Sequence, residues 1–176
     1  MYKAMVRGKI VEGRVLLQGN STEIQFEHPA DWLLLNAGGH GFYRCNYSEE
    51  ELEILTKDLS NNLAPIERFN LLSDLWASAQ SGALPLKTFF AQSLKYKDET
   101  DKNVWTTLTG ILTYLDRLVG KDHRTSFKEY VRELVMPALN KIGMKAKKNS
   151  AISPAQEALT DQLRGMLFSA AGALGE

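Results

Sequence analysis

The spacing of hydrophobic positions changes near residue 47. Before it, short apolar runs separated by turn chemistry read as strands: Val15-Leu16-Leu17, the alternating Thr22-Glu23-Ile24-Gln25-Phe26, Trp32-Leu33-Leu34-Leu35, and Phe42-Tyr43-Arg44-Cys45. Gly19-Asn20-Ser21 and His28-Pro29-Ala30-Asp31 supply the intervening turns, because glycine and asparagine tolerate positive φ and proline fixes its own. The pattern predicts a small antiparallel sheet. So few strands leave an apolar face that other sequence must cover.

From Ser48 onward the period is helical. Ser48 with Glu51 forms a capping box, and Glu49 and Glu50 place further negative charge at the positive end of the helix, a structural use of paired carboxylates. Leu52, Leu55 and Leu59 then share a face. Pro65 opens a second helix with Phe69, Leu72, Trp76 and Ala79 as its stripe and Gly82 as its left-handed stop. Pro85 opens a third with Phe89, Phe90 and Leu94. Asp101 caps a fourth, in which Val104, Leu108, Ile111, Leu112, Leu115 and Val119 keep helical spacing up to Gly120. A fifth runs from Thr125 to Ile142 through Phe127, Val131, Leu134 and Val135, with a kink or break expected at Pro137. Ser153-Pro154 starts a sixth, carrying Leu159, Leu163, Met166, Leu167 and Ala170. The expected fold is mainly α with a small N-terminal antiparallel β part, residues 1–47 belonging to a β-sandwich-like domain and 48–176 to an α-α superhelix of HEAT- or armadillo-like helix pairs. No strict repeat is visible, and a compact helical bundle is the alternative.

Charge and composition narrow the function classes. Twenty-one basic residues balance twenty-one acidic ones, so nothing draws the chain as a whole to phosphate backbones or anionic lipid. The densest basic run, Lys141 to Lys148, reads as a solvated interhelix segment. Cys45 is the single cysteine, which excludes an internal disulfide and fits a reducing, cytoplasmic setting. No apolar stretch approaches the roughly 18 residues of a membrane span, and the first residues lack a signal-peptide core.

Candidate chemistry is sparse. His28, His40, His123 and Cys45 are the possible zinc ligands, but no two histidines have ligand spacing, so neither a metal site nor a catalytic residue is expected. Gly38-Gly39-His40-Gly41 invites comparison with a phosphate loop, yet Arg44 stands where a third glycine belongs and a strand is expected next. A tight turn with positive φ explains the cluster better. There is no G-x-S-x-G elbow. Cys45 and His40, five apart on a strand, would face opposite sides, which argues against a thiol nucleophile with its base. Arg44, between Tyr43 and Tyr47, suits a carboxylate or a helix-end carbonyl across the sheet–helix junction.

Three segments, in order, carry a family resemblance. The tract Trp32 to Tyr47, with Gly38, Gly39, Gly41, Phe42, Tyr43 and Arg44 as its signature, comes first. Leu63-Ala64-Pro65-Ile66-Glu67-Arg68-Phe69-Asn70-Leu71-Leu72-Ser73-Asp74, continuing to Ala79-Gln80-Ser81-Gly82, is the second. Glu99-Thr100-Asp101 and Trp105, with Leu163-Arg164-Gly165-Met166-Leu167 and Ala171-Gly172-Ala173-Leu174-Gly175, form the third. Together they resemble the C-terminal region of the zinc aminopeptidases related to aminopeptidase N and puromycin-sensitive aminopeptidase. Val104 where the family often has proline, and His40 where a small polar residue is common, leave the subfamily open.

The resemblance implies a parent with an N-terminal β domain, a zinc domain, a β-sandwich and a helical domain that closes over the active site. Zinc would belong to the parent, since this chain has no H-E-x-x-H. The chain would then be a non-catalytic fragment that caps the chamber of an enzyme removing N-terminal residues from peptides. Its partners would be the parent's catalytic and N-terminal domains and the peptide. Trp105 and Tyr114 are the candidate peptide contacts that the resemblance suggests, although their spacing alone also fits core positions. An outer face on the terminal helices, left without a next repeat, would favour self-association. A free-standing helical-repeat adaptor for a peptide or protein is the alternative function.

Overall fold

The computed structural model describes residues 1–145 and 153–175. It is mainly α with a three-stranded antiparallel sheet at the N-terminus, in agreement with the fold class read from the sequence. The Lys141 to Lys148 run and the chain end at Glu176 fall partly outside the described residues. Two compact units divide the chain, Met1–Gln92 and Ser93–Glu176.

In the first unit, β1 (Tyr2–Val6) and β2 (Lys9–Gly13) form a hairpin. Arg7 and Gly8 both have positive φ, the conformation whose twist matches a two-residue hairpin turn. β3 (Ala30–Leu35) pairs with the other side of β1, giving the order β2-β1-β3. Only the third of the four expected strands is therefore a strand. The segments 15–17, 22–26 and 42–45 form none, and the β1–β2 hairpin takes their place. Leu16, Leu17 and Phe42 are mostly exposed, so those apolar runs lack the half-buried surface that rewards a ladder. The alternation at 22–26 still tracks burial, and Phe26 sets its ring edge-to-face against Tyr2 at 5.8 Å.

Ser48 caps α1 (Glu49–Leu55) as expected: its hydroxyl accepts from the Glu51 N–H at 3.2 Å, and the Glu51 carboxylate accepts from the Ser48 N–H at 2.7 Å. The helix then stops, and Leu59 belongs to a separate short α2 (Leu59–Asn62). Leu52, Leu55 and Leu59 are nevertheless all buried. Pro65 begins α3 (Pro65–Gln80), and Gly82, with φ of 77°, follows its end. The buried face of α3 keeps Leu72 of the expected stripe, while Phe69, Trp76 and Ala79 are only half-buried. Leu71, Leu72 and Leu75 fill it together with Glu67, Arg68 and Asp74. α4 (Leu86–Ser93) follows Pro85, and its Phe89 is buried against Trp76 at 5.0 Å between ring centroids.

The second unit contains α5 (Lys102–Leu118), α6 (Arg124–Ile142) and α7 (Pro154–Gly175), with α7 packed on both of the others. Asp101 caps α5 by accepting from the Asn103 and Val104 N–H groups. Just before it, the Glu99 carboxylate accepts from the Thr100 and Asp101 N–H groups. Buried leucine, valine and aromatic side chains interlock at the spacing read from the sequence: Val104, Leu108, Ile111, Leu112 and Leu115 from α5; Phe127, Val131, Leu134 and Val135 from α6; Leu163, Leu167 and Ala170 from α7. Arg124 closes the α5–α6 corner through the Asp116 carboxylate and the carbonyls of Asp116 and Val119, a cation at a helix C-terminus. α6 runs through Pro137 without a break. Neighbours that keep the helix buried outweigh one lost backbone hydrogen bond.

Candidate functional site

The glycine loop after β3 is built around one asparagine. Asn36 takes the left-handed conformation at φ of 54°, and Gly38 and Gly39 follow with φ of 71° and 69°. Three left-handed residues within four positions are tolerable because asparagine is a permissive non-glycine type and glycine has no Cβ. The Asn36 side chain then holds Gly41 at both ends: its amide donates to the Gly41 carbonyl at 3.0 Å, and its oxygen accepts from the Gly41 N–H at 2.6 Å. A Cβ on Gly41 would collide with the Tyr43 ring and stand 2.9 Å from Asn36 Oδ1. The turn reading of the glycine cluster therefore accounts for the geometry.

α3 anchors this loop with two buried carboxylates. Glu67 accepts from the Gly38 N–H at 3.1 Å, from the Lys3 ammonium at 2.7 Å and from the Ala64 N–H at 2.8 Å, so β1, the loop and the helix start meet on one side chain. Asp74, two turns further on, accepts from Arg44 Nη1 at 2.9 Å with one oxygen and from the Cys45 N–H at 3.1 Å with the other. Arg44 Nη1 also donates to the Ser73 hydroxyl at 2.8 Å. Arg44 thus finds an acidic residue across the sheet–helix junction. Tyr47 completes the frame by accepting from the Leu35 N–H at 3.0 Å.

Neither Glu67 nor Asp74 stands out as a site residue in the sequence. The available signal is positional: polar residues at i and i+7 (Glu67, Asp74) interrupt the buried side of an amphipathic helix, which demands partners.

Between the loop and α3 lies a cleft of about 480 Å³ lined by Asn36, Gly41, Phe42, Tyr43, Arg44, Phe69, Asn70, Ser73 and Asp74. Phe42 is fully exposed at its rim and Tyr43 is half-exposed. Burial, with the neighbouring Cys45 and Asp74, moves the Tyr43 phenol upward. Burial first, then the Asp74 carboxylate, pushes the Cys45 thiol up to about 11, so it is protonated at neutral pH and a poor nucleophile. No hydrogen bond joins it to His40 among the described residues. No group of three or more His, Cys, Asp or Glu side chains among them is arranged to hold a metal ion.

The other two candidates sit in the second unit. Trp105 is wholly buried, and its indole N–H donates to the Glu99 carbonyl at 2.9 Å, which ties α5 to the turn that caps it. Tyr114 is half-exposed on the same helix, one turn before the exposed Leu118. No helix among the described residues is long and apolar enough to cross a membrane.

Residues 32–176 match the model of the ERAP1-like C-terminal domain family. Puromycin-sensitive aminopeptidase of Caenorhabditis elegans is 33% identical over 98 residues, which is 54% of this chain and 10% of that protein. Aminopeptidase N of Plutella xylostella is 27% identical over 121 residues, 66% of the chain and 13% of the relative. Aminopeptidase M1-A of rice is 27% identical over 148 residues, 82% and 16% respectively. The chain spans only 10% to 16% of the length of these relatives. A family match that starts at Trp32, takes in the whole signature loop and runs on through α1 to α7 decides the question: the chain belongs to the ERAP1-like C-terminal domain family.

Proposed function

We propose that this chain is the non-catalytic C-terminal part of a zinc-dependent aminopeptidase. It caps the active-site chamber and contacts peptide, while the zinc and the catalytic groups belong to a separate domain of the parent. The observation that carries the reading is the family match over residues 32–176 in a chain that has no H-E-x-x-H. A wall of this kind contributes positioning and exclusion of bulk water, and both lower a barrier without touching the scissile bond.

Within this reading, residues 1–47 form part of a β-sandwich-like domain and 48–176 an α-α superhelix. The half-exposed Tyr114 ring is the more direct of the two peptide contacts proposed on α5. Trp105 acts from beneath, by fixing the start of that helix. Partners are the parent's catalytic and N-terminal domains, in a cytoplasmic setting. Leu159 and Phe168, each about half exposed on α7, supply the apolar surface for self-association.

The test is direct. The purified chain, incubated with zinc and an aminoacyl-4-nitroanilide, is expected to release no 4-nitroaniline and to bind no stoichiometric zinc by atomic emission. Metal-dependent release by the pure chain would overturn the proposal. Saturable binding of a partner to the chain, with no in-frame H-E-x-x-H in the full gene, would favour the adaptor instead.

A further inference from the structure

The cleft beside the glycine loop holds polar groups that the fold itself does not use. Both hydrogen bonds of Arg44 leave from Nη1, toward Asp74 and Ser73. The Nε–Nη2 edge therefore has no partner among the described residues, and the Arg44 side chain is 63% exposed. That edge is one of the two forks that grip a carboxylate with parallel hydrogen bonds, and Asp74 and Ser73 already fix its orientation. Asn70, on the cleft wall, makes no hydrogen bond among the described residues, so its amide offers a donor and an acceptor side by side, the complement of a peptide group. A Cβ on Gly39 would stand 2.7 Å from Asn70 Nδ2, so the bare glycine leaves that amide its place. Phe42, Tyr43 and Phe69 add apolar surface around these groups.

Charge decides which ligand fits. The carboxylate lining the cleft, Asp74, is buried with both oxygens already accepting, from Arg44 and from the Cys45 N–H. Its charge is already paired with Arg44 and its side chain is buried, so it is poorly placed to meet a cation. Arg44 keeps its charge and two donor directions toward solvent. A volume of about 480 Å³ lies within the range of ligand sites and accommodates a few residues of peptide.

We propose that this cleft binds an acidic peptide segment: a glutamate or aspartate carboxylate on the Nε–Nη2 edge of Arg44, the adjoining peptide group on Asn70, and a neighbouring apolar side chain against Phe42 and Tyr43. This site deepens the peptide-contact part of the proposed function and rests on that part alone. It lies in the first unit, whereas the α5 positions that the resemblance suggests belong to the second.

The experiment uses the 176-residue chain and an N-acetylated, C-terminally amidated peptide, Ala-Leu-Glu-Leu-Ala, followed by ¹⁵N chemical-shift titration. Saturable shifts confined to residues 36–44 and 69–74 are expected, weakened about tenfold when the peptide's Glu is replaced by Gln. The Asn70→Ala variant, which removes no hydrogen bond of the fold, should weaken binding severalfold with unchanged spectra elsewhere; Arg44→Gln should abolish the Glu-over-Gln preference. A free C-terminal carboxylate on Ala-Leu-Gln-Leu-Ala tests the other source of the same chemistry. Binding of that peptide but not the internal Glu peptide would overturn the acidic-segment assignment. So would equal affinity for Glu and Gln peptides, or shifts that map to other residues. None of these outcomes bears on zinc-dependent release, so the site can fail while the proposed function stands.

Discussion

The glycine loop of the first unit and the α5–α6–α7 packing of the second both keep backbone away from water, by opposite means. Around residues 36–45 the chain is irregular, and its N–H groups have no ladder to join. Side chains must therefore serve as partners: Asn36 for Gly41, Glu67 for Gly38, Asp74 for Cys45. The helices of the second unit satisfy their own backbone, so their contacts can be almost wholly apolar. Irregular backbone thus brings buried charge to the loop of the first unit, and in the second the buried Glu99 carboxylate likewise serves the irregular turn before α5 rather than the packed helix faces. The expected penalties of mutation differ accordingly. Apolar packing loses area and leaves a cavity, whereas a polar anchor leaves charges and donors stranded.

The largest effect is expected from Trp105→Ala. It opens a cavity in a wholly buried position and leaves the Glu99 carbonyl without the indole donor; a loss of about 3 to 5 kcal/mol should appear as a lower urea midpoint by circular dichroism. A loss below about 1 kcal/mol would show that the second unit does not depend on this core and would break the contrast.

Glu67→Ala comes next. Lys3, nearly buried, and the Gly38 and Ala64 N–H groups would lose one common acceptor, at a cost of about 3 kcal/mol. Glu67→Gln, which keeps an oxygen but not the charge, should lose clearly less. Equal losses for the two variants would mean that the carboxylate's charge is irrelevant and that shape alone matters. Hydrogen exchange at Gly38 and Gly41 reports whether the loop opens first.

The smallest effect concerns pH. Cys45 has a folded-state value near 11 against an ordinary 9, so the fold favours the protonated thiol. Its contribution is fully present below pH 9 and is lost as pH rises toward 11. Wild-type stability should fall across that window more steeply than that of Cys45→Ala. Parallel curves would show that burial of this thiol adds nothing. The same protonation predicts alkylation at pH 8 far slower than for a free cysteine.

The particular hits and misses share a cause. The caps at Ser48 and Asp101, the start at Pro65 and the stop at Gly82 were legible because a cap is decided by residues within one turn of each other. The second unit's core was legible because helical period and burial coincide there. The strands at 15–17 and 42–45 were misread because an apolar run becomes a strand only beside a partner, and β1 took β2 and β3 instead. Arg7-Gly8, a two-residue turn between alternating runs, was the signal for the hairpin that sequence reading passed over.

Sequence by itself determined the helical period, the helix ends, the turn character of the glycine cluster and the family signature, all set by short-range sterics and backbone hydrogen bonding. Tertiary structure alone decided that Glu67 joins Lys3 to Gly38, that Asp74 turns Arg44 so that its Nε–Nη2 edge stays unpaired at the cleft, and that Trp105 lies in the core. Those partners stand 64, 30 and 6 residues apart in the chain, and side-chain pairing over the longer of these separations is fixed only when packing brings distant segments together.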